Sequence, residues 1–122
     1  MRTIKFRGKR THNQEWVYGY YFFKFYTQQH GILIDASGGV TAGREYEVDP
    51  ATVGQFTGLV DKNGVEIWEG DIVAWIRENW KVVYYDGAFC LEPNINALEL
   101  LHLHYPNGYV IGNTYDNPEL LK

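Results

Sequence analysis

The alternation of apolar and polar positions starts at once. Ile4 and Phe6 point one way and Lys5, Arg7 and Lys9 the other, so residues 2–9 read as a half-buried strand with a basic outer face. Thr11 to Gln14 is polar and turn-like, and Glu15 to Tyr26 is a long aromatic strand that pairs with the first as a hairpin. One side of it carries Trp16, Tyr18, Tyr20 and Phe22; the other carries Val17, Tyr21, Phe23 and Phe25. Both sides are apolar. Either the chain covers both itself, or a second copy covers one.

Shorter elements follow. Ile32 to Asp35 is a strand, and the glycine-rich run Ala36 to Gly43 is the best boundary in the chain. Arg44 to Val48 alternates. Asp49-Pro50 is an N-cap followed by a first helical residue, which predicts one helical turn over Ala51 to Val53, stopped at Gly54. Asp61-Lys62-Asn63-Gly64 fits a type I turn between two strands, and Glu69-Gly70-Asp71 a second tight turn. Ile72 to Ile76 is an apolar run. Asp86-Gly87 is the strongest hairpin signal, with Lys81 placed opposite Glu92 and Val82 opposite Leu91. Asn94 to Tyr105 fits a helix (Asn96 with Glu99 as a capping box) and a strand (Leu98, Leu100, His102, His104); a short helix or irregular turn before a strand is the preferred reading. Tyr109 to Asn113 is a last strand, and Asn117-Pro118-Glu119 starts a terminal helical turn. Many short strands at spacings near ten residues favour an all-β fold with minor helical turns and a small barrel.

Composition narrows the function classes. The chain has 122 residues, 20 of them aromatic, which suits one compact domain or a small barrel with an appendage. Cys90 is the only cysteine, which excludes an internal disulfide and multi-thiolate zinc sites. The start of the chain lacks the apolar run of a signal peptide, and the longest apolar stretch, Trp16 to Phe23, is far short of the ~20 residues of a spanning helix. A reduced cytoplasmic setting with no membrane is expected. The net charge of −4 is unevenly spread: residues 1–24 hold six bases against one acid, and the remainder five bases against 14 acids.

No residue constellation points to catalysis. His102 and His104 would share a strand face, but a metal site needs a third ligand such as Asp86, Glu99 or His30; exposed histidines at a strand end are the simpler reading. Cys90, opposite Val83, has no neighbouring cation to activate it and reads as a small buried hydrophobe. Glu45 and Glu47 share a strand face and read as solvated, and Gly38-Gly39 lacks the lysine and helix of a phosphate loop. Lys5, Arg7 and Lys9 beside an aromatic strand would suit single-stranded nucleic acid. The same three bases would equally protect an edge strand.

Three segments carry a resemblance. They are Thr52-Val53-Gly54-Gln55-Phe56-Thr57-Gly58-Leu59 with Asp61-Lys62-Asn63-Gly64, then Ile67-Trp68-Glu69-Gly70-Asp71-Ile72-Val73, then Val110-Ile111-Gly112-Asn113 with Tyr115-Asp116-Asn117-Pro118-Glu119-Leu120-Leu121. With Ile4-Lys5-Phe6-Arg7 they resemble the YopX family of phage and prophage proteins of bacteria. Asp116 stands where that family commonly has Glu. The resemblance implies a β-rich N-terminal region, an SH3-like small barrel after it, and a prophage setting; it supplies no activity. The boundary is placed between residues 50 and 51, giving regions 1–50 and 51–122. The signature residues read first as folding residues, with Asp116 and Asn117 as caps.

The expected function is therefore non-enzymatic, with no cofactor: a self-associating protein-interaction module of phage or prophage origin. Its partners are a second copy of the chain and phage or host proteins. Its surface is expected at Trp16, Tyr18, Tyr20, Tyr21, Phe22 and Phe23. The alternative is a nucleic-acid-binding small barrel using Lys5, Arg7 and Lys9.

Overall fold

A computed structural model describes residues 3–34, 44–92 and 108–121. Its order is β1 (Phe6–Lys9), β2 (Trp16–Lys24), β3 (Gln29–Ile34), β4 (Arg44–Glu47), a 3-10 turn (Pro50–Thr52), β5 (Gly54–Val60), β6 (Glu66–Trp68), β7 (Asp71–Trp75), β8 (Glu78–Tyr85), β9 (Ala88–Glu92), β10 (Tyr109–Asn113) and a 3-10 turn (Pro118–Leu121). The protein is all-β among the described residues, every named strand pairing is antiparallel, and the chain divides into two compact units at Gln55/Phe56.

In the first unit the strands run β4-β3-β2-β1, followed by the first residues of β5. The expected hairpin of β1 with β2 is present, with Arg7 opposite Tyr18 and Lys9 opposite Trp16. Because residues opposite each other share a face, one side of the sheet gathers Phe6, Val17, Ile32, Ile34, Tyr46 and Val48. This is the core side: Val17, Ile32 and Val48 are buried, with Phe6, Ile34, Tyr46 and Val53 against them. Gly8 leaves the room in which Val48 sits, since a Cβ there would lie 3.1 Å from the valine. The Asp49 cap forms as its sequence predicts, with the carboxylate accepting from the Ala51 N–H at 3.0 Å.

β1 is not an edge strand. It pairs with β2 on one side and with Gly54 and Gln55 on the other, so its bases do not guard an open edge. The pairing on both sides takes up its backbone groups, and the edge reading of Lys5, Arg7 and Lys9 is corrected.

The second unit contains the sheet β10-β7-β8-β9 and the β5–β6 ladder. Its core is Ile67, Val73, Trp75, Trp80, Val82 and Leu91, with Leu59, Phe89 and Val110 packed against them. The Asp86-Gly87 hairpin has the expected register, Lys81 opposite Glu92, Val82 opposite Leu91 and Val83 opposite Cys90. The described pairings stop short of the closed barrel that the resemblance implies. The ambiguous segment Asn94 to Tyr105 lies outside the described residues, as does the glycine-rich run Ala36 to Gly43.

One turn carries no sequence signal. β7 and β8 are joined by Ile76-Arg77, with φ of 48° and 63°. Two left-handed residues between paired strands make the I′ turn that usually takes Asn-Gly. Nothing in Ile-Arg announces it, and the apolar run is simply cut at Trp75.

Candidate interaction surface

The surface is built on β2. Its core-side row begins with buried Val17 and then opens: Tyr21 and Phe23 are 36% and 46% exposed. There the strand outruns the packed core, and the rings settle on His30 of β3. Phe23 lies 4.8 Å from the His30 ring, and the Tyr21 hydroxyl shares a hydrogen bond with His30 Nδ1. Phe6 meets Tyr21 at 5.9 Å.

The opposite row carries Trp16, Tyr18, Tyr20 and Phe22. Tyr18 and Tyr20 are about half exposed, and Trp16 and Phe22 half-buried. Phe22 owes its cover to Gly31, its cross-strand partner: the ring fills the place a Cβ on Gly31 would take. Beyond Phe22 the same face continues across β3 to Glu47, opposite Gly31, and Glu45, opposite Leu33. Lys24 pairs with Glu45 at 2.8 Å, and the Thr11 hydroxyl donates to Glu47. Both glutamates are exposed, as their alternation predicts.

Phe22, Lys24, Gln29, His30, Glu45 and Glu47 line an open hollow on this face. The hairpin continues past it into a turn with Phe25 80% and Tyr26 96% exposed. The turn closes through the Gln28 N–H donating to the Lys24 carbonyl at 2.7 Å, with Gln28 in the left-handed region. Phe25 and Tyr26 are not among the surface residues expected from the sequence. The signal was present: two aromatics directly before the polar Thr27-Gln28-Gln29, where a turn must fall.

The basic cluster is arranged differently from a phosphate groove. Lys5, Arg7 and Lys9 share a face, but Arg7 is only 5% exposed and Lys5 and Lys9 are half-buried. The guanidinium of Arg7 lies 4.6 Å from the Trp16 ring centre, and the Lys9 ammonium 5.6 Å from it. These cations hold the indole face that a stacked base would need. The alternation put the three bases on one side; their burial is decided by the neighbours that cover that side.

Other candidates have structural places. Cys90 is buried opposite Val83, its thiol 3.6 Å from the Ala88 carbonyl. Among the described residues no group of three or more His, Cys, Asp or Glu could hold a metal ion. His102, His104 and Glu99 lie outside the described residues. No described helix is long and apolar enough to cross a membrane.

The signature residues form joints. Fully buried Asp61 accepts from the N–H groups of Asn63, Val65 and Val110 at 2.8, 2.9 and 2.9 Å. Asp71 accepts from the Trp68 N–H at 2.7 Å, closing the Glu69-Gly70 turn. Gly70 lies under the Tyr115 ring. Asn113 and Asn117 cap this turn from its two ends: Asn113 Oδ1 accepts from the N–H groups of Tyr115 and Asp116, Asn117 Oδ1 accepts from the Asn113 N–H, and the Asp116 carboxylate accepts from Asn113 Nδ2.

A family model described as YopX protein matches residues 5–122. Among solved structures, the crystal structure of protein EF1440 from Enterococcus faecalis is similar, with a TM-score of 0.67 and 27% identity over 100% of both chains. No curated protein matches the chain.

Proposed function

The chain belongs to the YopX family, and from that premise we propose that it is a non-enzymatic interaction module that associates with a second copy of itself. The observation behind this reading is the aromatic exposure of the β2–β3 hairpin. Tyr18, Tyr20, Tyr21, Phe23, Phe25 and Tyr26 are between 36% and 96% exposed. At the 150–250 Å² that an aromatic side chain can bury, this is roughly 700 Å² of ring surface. A standard interface takes about 800 Å² from each partner.

The rings lie on both sides of the hairpin, which favours a partner that interlocks with it. In this reading the protein works in the cytoplasm of a bacterium carrying the phage or prophage, where phage or host proteins bind the assembled form. Light scattering after size exclusion, over a dilution series, tests it. A dimer or larger form at tens of micromolar that dissociates on dilution is expected; a strict monomer at every concentration rejects the reading. Nucleic-acid binding is the competing reading. It gains support only if oligonucleotides bind at low salt and Lys5→Glu with Lys9→Glu removes that binding.

A further inference from the structure

Resting on the self-association reading, we infer that Tyr26 of one copy enters the hollow beside Phe22 on a second copy, and that the second copy returns the same contact. Knob and hollow belong to one hairpin. Tyr26 is 96% exposed on a turn held by its own backbone hydrogen bond, so its ring contributes nothing to the fold of its own chain.

The hollow is lined by one apolar ring and a rim of polar groups. The ring is Phe22, seated on Gly31; the polar groups are Lys24, Gln29, His30, Glu45 and Glu47. That lining suits a flat apolar body with a hydrogen-bond donor at its tip, which describes a phenol. The hydroxyl would donate to Glu47, whose Oε1 already accepts from Thr11, while Glu45 is engaged by Lys24. Phe25 has the body but not the donor, so it is assigned to pack beside the entrance. Two carboxylates on the rim disfavour a phosphate or any other anion as occupant.

A second copy is the occupant because of symmetry. In a two-fold contact, residue i of one copy meets j of the other while j meets i. Tyr26 lies between the two hairpin strands whose Lys24 and Gln29 form part of the rim. Two hairpins running antiparallel past each other's tips would therefore satisfy both knobs and both hollows at once. A foreign partner would fill one hollow and leave one knob bare.

Sedimentation analysis of the full chain tests this with wild type, Tyr26→Ser, Tyr26→Phe, Glu47→Gln, the Tyr26→Phe/Glu47→Gln double variant, and Ile76→Ser as an unrelated exposed apolar control. All the positions are exposed, and a thermal melt verifies that each variant folds. Tyr26→Ser is expected to weaken the dimer at least tenfold, and Ile76→Ser to leave it within twofold. Tyr26→Phe and Glu47→Gln should each weaken it, and together no more than the worse of the two. A wild-type dimer that Tyr26→Ser leaves unchanged overturns the knob assignment while self-association stands. Additive effects of the Phe and Gln changes overturn the hydroxyl–carboxylate pairing. A wild-type monomer overturns the self-association reading and this inference with it.

Discussion

At the scale of single residues, Asp61 ties three backbone N–H groups together. It is fully buried and accepts three N–H groups, two in its own turn and one from Val110 at the far end of the sequence. Asp61→Ala would strand three donors in the interior. Hydrogen bonds to a charged acceptor are worth about 1.5–3 kcal/mol each and are not additive, so a loss of roughly 3 kcal/mol or more is expected in urea unfolding. Asp61→Asn should cost less, because its carbonyl still serves Asn63 and Val65 while its amide group faces the Val110 N–H as a second donor. Gly112 is a steric case. A Cβ there would lie 2.5 Å from Asn117 Oδ1, so Gly112→Ala should displace the Asn117 contact and lower the melting temperature.

At the scale of elements, the two hairpin turns of the second unit make opposite cases. Asp86-Gly87 has φ of 51° and 83°, the left-handed pair that Asp-Gly adopts readily, and sequence alone identified the turn and its register. Ile76-Arg77 adopts the same kind of turn with a β-branched residue at φ 48°. Holding such a residue there costs on the order of 1–3 kcal/mol. Ile76 is 67% exposed, so burial returns little of that. Ile76→Asn with Arg77→Gly is therefore expected to raise stability by about 1–3 kcal/mol in a denaturant titration. No gain, or a loss, would show that the Ile76 side chain holds the tip through contacts beyond the backbone turn.

At the scale of the whole molecule, the charge split of the sequence is redrawn by the fold. By position, residues 1–24 look strongly basic. By unit, residues 3–55 hold six bases and five acids, and residues 56–122 four bases and ten acids. β4 is the cause, because it brings Glu45 and Glu47 onto the sheet that carries the N-terminal bases and sets Glu45 against Lys24. The first unit is thus close to neutral, and its exposed surface is aromatic more than cationic. Self-association through it should change by less than about threefold between low and high salt, since its Lys24–Glu45 pair is exposed and ring burial is not screened. A dissociation constant that rises steeply with salt would mean that charge, not ring burial, joins the copies.

Sequence by itself determined what depends on neighbours along the chain. The hairpin of β1 with β2, the Asp49-Pro50 cap, the Asp61–Gly64 and Asp86-Gly87 turns and the burial of Cys90 follow from alternation and turn chemistry, both local. The signature segments were legible as folding residues for the same reason, since glycine and short polar side chains settle backbone geometry within a few positions. Tertiary structure decided what depends on distant partners. The interior place of β1, the burial of Arg7 and the bond from Asp61 to Val110 each need a strand that the sequence does not name as a neighbour. So does the hollow, which needs Glu45 and Glu47 beside Phe22. The period of two says which residues share a face of a strand. Only the sheet order says what covers that face, and therefore which rings remain open to a partner.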